Sequence, residues 1–172
     1  MSNNPSVESL PYRPCVGIAV FSRDGRVWIG HRNDVAAEGE GQGHWWQMPQ
    51  GGLDPGEDPE KAAYRELFEE TSIKNVELIR AADGWFTYDL PPELVGISWK
   101  GRYRGQKQKW FALRFTGADS EIDVLEPGGG KHKPEFSQWR WETLARLPEL
   151  VVPFKRTVYE QVVAAFHDIA AG

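Results

Sequence analysis

Gly51-Gly52-Leu53-Asp54-Pro55-Gly56-Glu57-Asp58-Pro59 runs straight into Glu60-Lys61-Ala62-Ala63-Tyr64-Arg65-Glu66-Leu67-Phe68-Glu69-Glu70-Thr71-Ser72-Ile73. The first part, with three glycines and a proline over 50–57, reads as a loop. Asp58 has the character of a helix N-cap, and Pro59 suits the first helical position, where its missing N–H costs nothing. Good helix formers without a breaker predict a helix over 60–71. Glu66, Glu69 and Glu70 stand at i, i+3 and i+4, which puts three carboxylates on one face within about 100° of arc. Like charges at this spacing repel by roughly 0.2–0.5 kcal/mol per pair. Two arrangements relieve that cost. One is a hard divalent cation with oxygen ligands. The other is a solvated acidic face salt-bridged by Arg65. The loop tips the balance towards a site, because Gly51 and Gly52 allow close approach of backbone and ligand, and such a turn has little use as mere structure.

Outward from this segment, the pattern predicts a strand over 15–21, a hairpin turn at Asp24-Gly25, and a return strand over 27–30. A polar loop over 33–43 follows, then a short strand over 45–48 that Pro49 ends. Beyond the helix, Val76, Leu78 and Arg80 alternate as another strand, and further strands are predicted over 108–115 and 138–141. Phe154, Val158, Val162 and Phe166 recur every four residues, the mark of an amphipathic closing helix. Strands and two main helices in 172 residues, without repeats or an interdomain linker, predict one α/β domain over 1–172 with a mixed sheet packed between helices.

The formal net charge of −5 argues against broad gripping of a nucleic-acid backbone. It leaves room for one phosphorylated end held through metal ions. Eight Trp, eight Phe and five Tyr supply both core and stacking surface, and composition does not divide them between the two. Cys15 is the single cysteine, which excludes an internal disulfide and suits a reducing compartment; it sits in an apolar run as a small core residue. The start of the chain lacks the pattern of a secretory signal, and no apolar stretch is long enough to span a bilayer, so a soluble cytoplasmic protein without membrane association is expected. His31, His44, His132 and His167 have no zinc-like spacing and read as structural or exposed.

Gly51, Glu57, Arg65-Glu66-Leu67, Glu69-Glu70 and Ile73 fall at the spacing G-x5-E-x7-R-E-U-x-E-E-x-G-U, and residues 51–73 therefore resemble the Nudix box. One position departs: Ser72 stands where the family has a helix-ending glycine, at a cost on the order of 1 kcal/mol if the backbone there is left-handed. The resemblance implies an α/β/α sandwich with a mixed sheet and hydrolysis of a nucleoside diphosphate linked to another group. It implies Glu66, Glu69 and Glu70 as ligands of Mg2+, with Mn2+ as the alternative. Arg65 and Glu57 would orient those carboxylates and the loop, and Glu66 or Glu70 would take the proton. Phosphoryl transfer asks independently for the same parts, namely charge neutralisation, in-line positioning and a carboxylate.

The likeness extends to Tyr12-Arg13-Pro14, Trp46-Gln47-Met48-Pro49-Gln50-Gly51-Gly52, Gly105-Gln106-Lys107-Gln108-Lys109-Trp110-Phe111, Pro134-Glu135-Phe136 and Phe154-Lys155-Arg156. Over roughly 12–168 the chain resembles the subgroup of bacterial RNA pyrophosphohydrolases and plant-type diadenosine tetraphosphate hydrolases, with 34–43 as a surface insertion. By that resemblance Glu135 is a further metal-site carboxylate, and Arg13, Arg32 and Lys155 are phosphate contacts. Phe154 is either a base-stacking residue or core packing of the last helix. Gly51 and Gly52 border the substrate. Lys107 and Lys109, on one face of a strand, are candidates for the outer phosphates, while Lys100, Arg102 and Arg104 read equally well as a solvated basic run. The leading expectation is removal of pyrophosphate from the 5′ end of triphosphorylated RNA, the step that initiates mRNA decay. The rival is dinucleoside polyphosphate hydrolysis through the same site. A catalytically dead nucleotide sensor fits less well, since every box carboxylate is present.

Overall fold

A computed structural model describes residues 7–33 and 45–170. The expected loop over 34–43 and His44 lie outside the described residues. The frame is the parallel pair of β1 (Tyr12–Phe21) and β7 (Gly105–Phe115), matched from Tyr12 against Gly105 to Phe21 against Arg114. Antiparallel neighbours complete a mixed eight-stranded sheet. β2 (Val27–Arg32) joins β1 and carries β3 (Trp46–Gln47) and β8 (Phe136–Glu142). β4 (Gln50–Gly52) pairs with β1, while β5 (Val76–Ala81) and β6 (Phe86–Asp89) pair with β7.

Alternation along β1 creates two cores, because successive side chains point to opposite faces. Val16, Ile18 and Val20 pack with Ala62, Ala63 and Leu67 of α1 (Pro59–Thr71). Ala19 and Phe21 pack with Val158, Val162 and Phe166 of α2 (Arg156–Ala170). A helix on each face of a mixed sheet is the predicted α/β/α sandwich. Cys15 is buried, as expected.

The two long helices and the strands over 15–21 and 27–30 match the sequence reading. Three details differ. Residues 50–52 form β4 inside the predicted loop, pairing with Cys15–Gly17; glycines give no strand pattern, yet their missing side chains let β4 fit against α1. β6 has no counterpart in the sequence reading, since its four residues are too few to show a clear alternation. Phe154 lies in the helical turn Pro153–Lys155 ahead of α2 rather than within it.

Candidate active site

One cleft of about 520 Å³ opens where β1, β4, α1 and the start of α2 meet. Asp58 caps α1 by accepting the Lys61 backbone N–H at 3.1 Å. The helix then carries Glu66 and Glu70, one turn apart, into the cleft wall. Glu70 is buried, one of its oxygens, Oε2, has no hydrogen-bond partner, and the Gln50 backbone N–H bonds its carboxylate. Burial, then the Glu66 and Glu135 carboxylates, push its pKa well above the usual range. Burial also pushes Glu66 up to about 7, against the opposing pull of Arg65. Glu135, far away in sequence, lines the same cleft; its carbonyl accepts the Asn33 N–H at 2.8 Å, which ties it to the end of β2.

Behind the cleft Arg65 organises the loop. Its Nε and Nη2 each donate to Glu57 at 2.8 Å, and Nη2 also donates to the Gly52 carbonyl at 3.1 Å. Its Nη1 donates to Glu66 Oε1 at 2.9 Å and Glu69 Oε2 at 3.2 Å. The bonds from Arg65, with the Asp54 N–H, hold the Glu57 carboxyl down to about 2. The repulsion expected among the box glutamates is thus partly relieved by a guanidinium.

Ser72 ends α1 in the left-handed conformation, φ 67°. The serine compensates where glycine would have been at ease: its hydroxyl donates to the Asp123 carbonyl at 3.1 Å and accepts the Gly128 N–H at 3.0 Å.

The residues fit a divalent cation in part. Glu70 presents an orphaned buried oxygen, Glu66 has one oxygen free of Arg65, and Glu135 faces the same space. Hard oxygen donors of this kind suit Mg2+. Glu69 is the departure from the sequence reading: Arg65 holds its carboxylate, it does not line the cleft, and among the described residues no three carboxylate or imidazole side chains already converge as a metal site.

Arg13, Arg32, Gly51, Gly52, Phe154 and Lys155 all line the cleft. Lys155 is buried and donates to Gln47 Oε1 at 3.3 Å. Phe154 forms part of the cleft wall and packs against Tyr88, with ring centroids 5.6 Å apart. Lys107 and Lys109 require a correction. They do share one face, but it is the wrong one. Gln106 pairs with Arg13, and both line the cleft, so the odd-numbered lysines point the other way. Lys107 lies 5.4 Å over the Trp85 ring, and Lys109 donates to the Ala82 carbonyl at 2.7 Å. Gln106, Tyr88 and Trp99 are cleft residues that sequence reasoning missed. For Gln106 the parity of β7 was the available signal, once tied to Arg13.

The profile described as NUDIX domain matches residues 11–162. The chain belongs to the Nudix family. Among its Nudix relatives, an RNA pyrophosphohydrolase of Bradyrhizobium sp. (strain ORS 278) is 60% identical over 165 residues, 96% of this chain and 98% of that protein. One of Rhodopseudomonas palustris (strain ATCC BAA-98 / CGA009) is 59% identical, covering 95% and 96%. Of solved structures, a C. elegans Ap4A hydrolase binary complex superposes with a TM-score of 0.62 at 18% identity, over 91% of this chain and 98% of that one. The E. coli dihydroneopterin triphosphate pyrophosphohydrolase gives 0.62 at 20% identity, over 90% and 98%. At these identities the structures support the Nudix fold alone. No helix among the described residues is long and apolar enough to cross a membrane.

Proposed function

We propose that this Nudix enzyme is an RNA pyrophosphohydrolase, which adds water across a phosphoanhydride at the 5′ end of triphosphorylated RNA and leaves a 5′-monophosphate end and pyrophosphate. The observation that carries the reading is full-length similarity at 60% identity to a protein of that name, together with a cleft that joins carboxylates to cations and aromatic walls.

Glu66, Glu70 and Glu135 would hold Mg2+, or Mn2+ in its place, with Glu69 joining if it releases Arg65. When bound, such a cation neutralises phosphate charge and acidifies water. The protein's own contribution is positional. Arg13, Arg32 and Lys155 bind phosphate oxygens. Arg65 and Glu57 brace the β4 loop, so that the Gly51 and Gly52 backbone can approach the substrate. Glu66 or Glu70 takes the proton of the attacking water, whichever of the two does not spend its free oxygen on the cation: Arg65 engages Glu66 Oε1 and leaves Oε2, and Glu70 Oε2 has no partner. The Tyr88–Phe154 wall offers a face to a base, and base–aromatic stacking is worth about 1–3 kcal/mol. A net charge of −5 leaves little to hold a long strand, so recognition is confined to the 5′ polyphosphate and the first bases. The cytoplasm, where such RNA is made, is the compartment this reading implies.

The deciding experiment compares kcat/KM for a short triphosphorylated RNA and for diadenosine tetraphosphate at equal magnesium and salt. RNA should be preferred, and lengthening it beyond a few nucleotides should add little. A clear preference for the dinucleotide, with RNA barely turned over, would replace this reading with the rival one.

A further inference from the structure

Arg13 reaches the cleft from β1 in an unusual setting. Among the described residues no carboxylate stands at ion-pair distance from it, and its one polar side-chain contact is Nη1 to Cys15 Sγ at 3.7 Å. A guanidinium has five N–H donors, so most of them are left to face the cleft that Arg13 lines. Two neighbours border it. One is the Gly52 backbone, approached so closely that a Cβ on Gly52 would lie 2.5 Å from Arg13 Nη2. The other is the indole of Trp99, with the guanidinium carbon 5.5 Å from the ring centroid.

Trp99 is itself held in an uncommon backbone. Its φ is 50°, and Lys100 and Gly101 follow at 59° and 70°. Left-handed conformations in non-glycine residues are strained and persist where surrounding structure enforces them, often at functional sites. Tyr103 packs edge-on to the indole, with centroids 6.2 Å apart. The strained turn brings an aromatic face to the cleft wall, where Ser98 also lines the cavity.

We propose that Trp99 is a positioning residue for Arg13: its ring face and the Gly52 backbone clamp the guanidinium so that its remaining N–H donors take a non-bridging phosphate oxygen of the bound polyphosphate. This rests on the reading of the cleft as a polyphosphate site. The clamp gives a defined position to a half-buried arginine that has no carboxylate at ion-pair distance among the described residues. It also explains a glycine at 52, where any side chain would displace Arg13.

The test is a series of variants: Trp99→Leu, Trp99→Phe, Arg13→Ala and the double variant Arg13→Ala/Trp99→Leu. Leucine keeps apolar bulk but has no π face, so the fold should survive; Tm is recorded for each protein. With a short triphosphorylated RNA, Trp99→Leu should lose roughly 3- to 30-fold in kcat/KM, the range of a cation–π contact. Trp99→Phe should recover part of that loss. The double variant should be no worse than Arg13→Ala alone. An unaffected Trp99→Leu overturns the proposal. So does a double-variant loss equal to the product of the two single losses, which would mean that Trp99 acts on the substrate directly. If the wild-type protein turns over no triphosphorylated RNA, the reading of the cleft fails instead. Affinity of the same variants for inorganic tripolyphosphate then decides the clamp, by the same non-additive or additive pattern.

Discussion

Gly51 and Glu66 pack so closely that no side chain fits between them: a Cβ on Gly51 would fall inside the Glu66 carboxylate. The glycine in β4 is therefore a spatial requirement of the carboxylate on α1, and only secondarily a matter of loop flexibility. Gly51→Ala should push Glu66 away from the cleft and lower turnover by about 10- to 100-fold, the scale seen when groups supporting a metal ligand are disturbed. Turnover measured across a magnesium titration checks this. Full activity at saturating magnesium, with an unchanged midpoint, would show that Glu66 does not need its observed place.

Glu70 links stability to metal. Its carboxylate is buried, one oxygen lacks a partner, and Glu66 and Glu135 repel it. Glu70→Gln removes the charge and keeps the shape, so the chelated protein should unfold at a higher temperature than chelated wild type. Turnover should fall by at least about 100-fold. Wild type should gain stability from magnesium, about 2.7 kcal/mol at a concentration of 100 times Kd. For a chain of this size that corresponds to roughly 5–10 °C in Tm. The variant should lose most of that gain. Thermal unfolding with and without chelator reads all three effects, and an equal magnesium response in both proteins would remove Glu70 from the metal site.

The helix that carries these glutamates was legible because local signals agree along it. Asp58, Pro59 and the i, i+3, i+4 carboxylates all act within one element. What remained hidden depends on partners distant in sequence. Strand alternation puts Lys107 and Lys109 on one face, but only the register of Gln106 against Arg13 tells which face meets the cleft. β4 is invisible because glycines carry no pattern. Trp99 reaches the cleft through a left-handed turn that has no periodic signature. Glu69 kept its place on the acidic face, and the competition with Arg65 for its carboxylate could be anticipated only as an alternative.

Ser72 separates backbone strain from hydroxyl bonding. Ser72→Ala keeps the left-handed cost and loses the bonds to Asp123 and Gly128, so it should destabilise by about 1–3 kcal/mol. Ser72→Gly loses the same bonds and gains about 1 kcal/mol of backbone relief, so it should sit between the alanine variant and wild type. Chemical denaturation at fixed magnesium gives the ranking. A glycine variant less stable than the alanine variant would contradict the strain assigned to φ 67°.

Glu57 should make its contribution to stability pH-dependent. Arg65 donates to both of its oxygens at 2.8 Å, and the Asp54 N–H adds a bond at 3.0 Å, which together hold the carboxyl down to about 2. In the unfolded chain a glutamate titrates near about 4.3. The unfolded state therefore binds the proton first as pH falls, and stability rises with pH across this interval. The contribution is complete above the unfolded value and is lost as pH drops towards about 2. Glu57→Gln cannot titrate, and it keeps a weaker, neutral bond to Arg65. Wild type should therefore unfold at a higher temperature than Glu57→Gln at pH 6, and the gap should close as pH is lowered towards 2.5. The comparison is made in chelator, so that metal binding does not shift with pH. A gap that stays constant across that range would mean that the Glu57–Arg65 pair does not set the loop's stability.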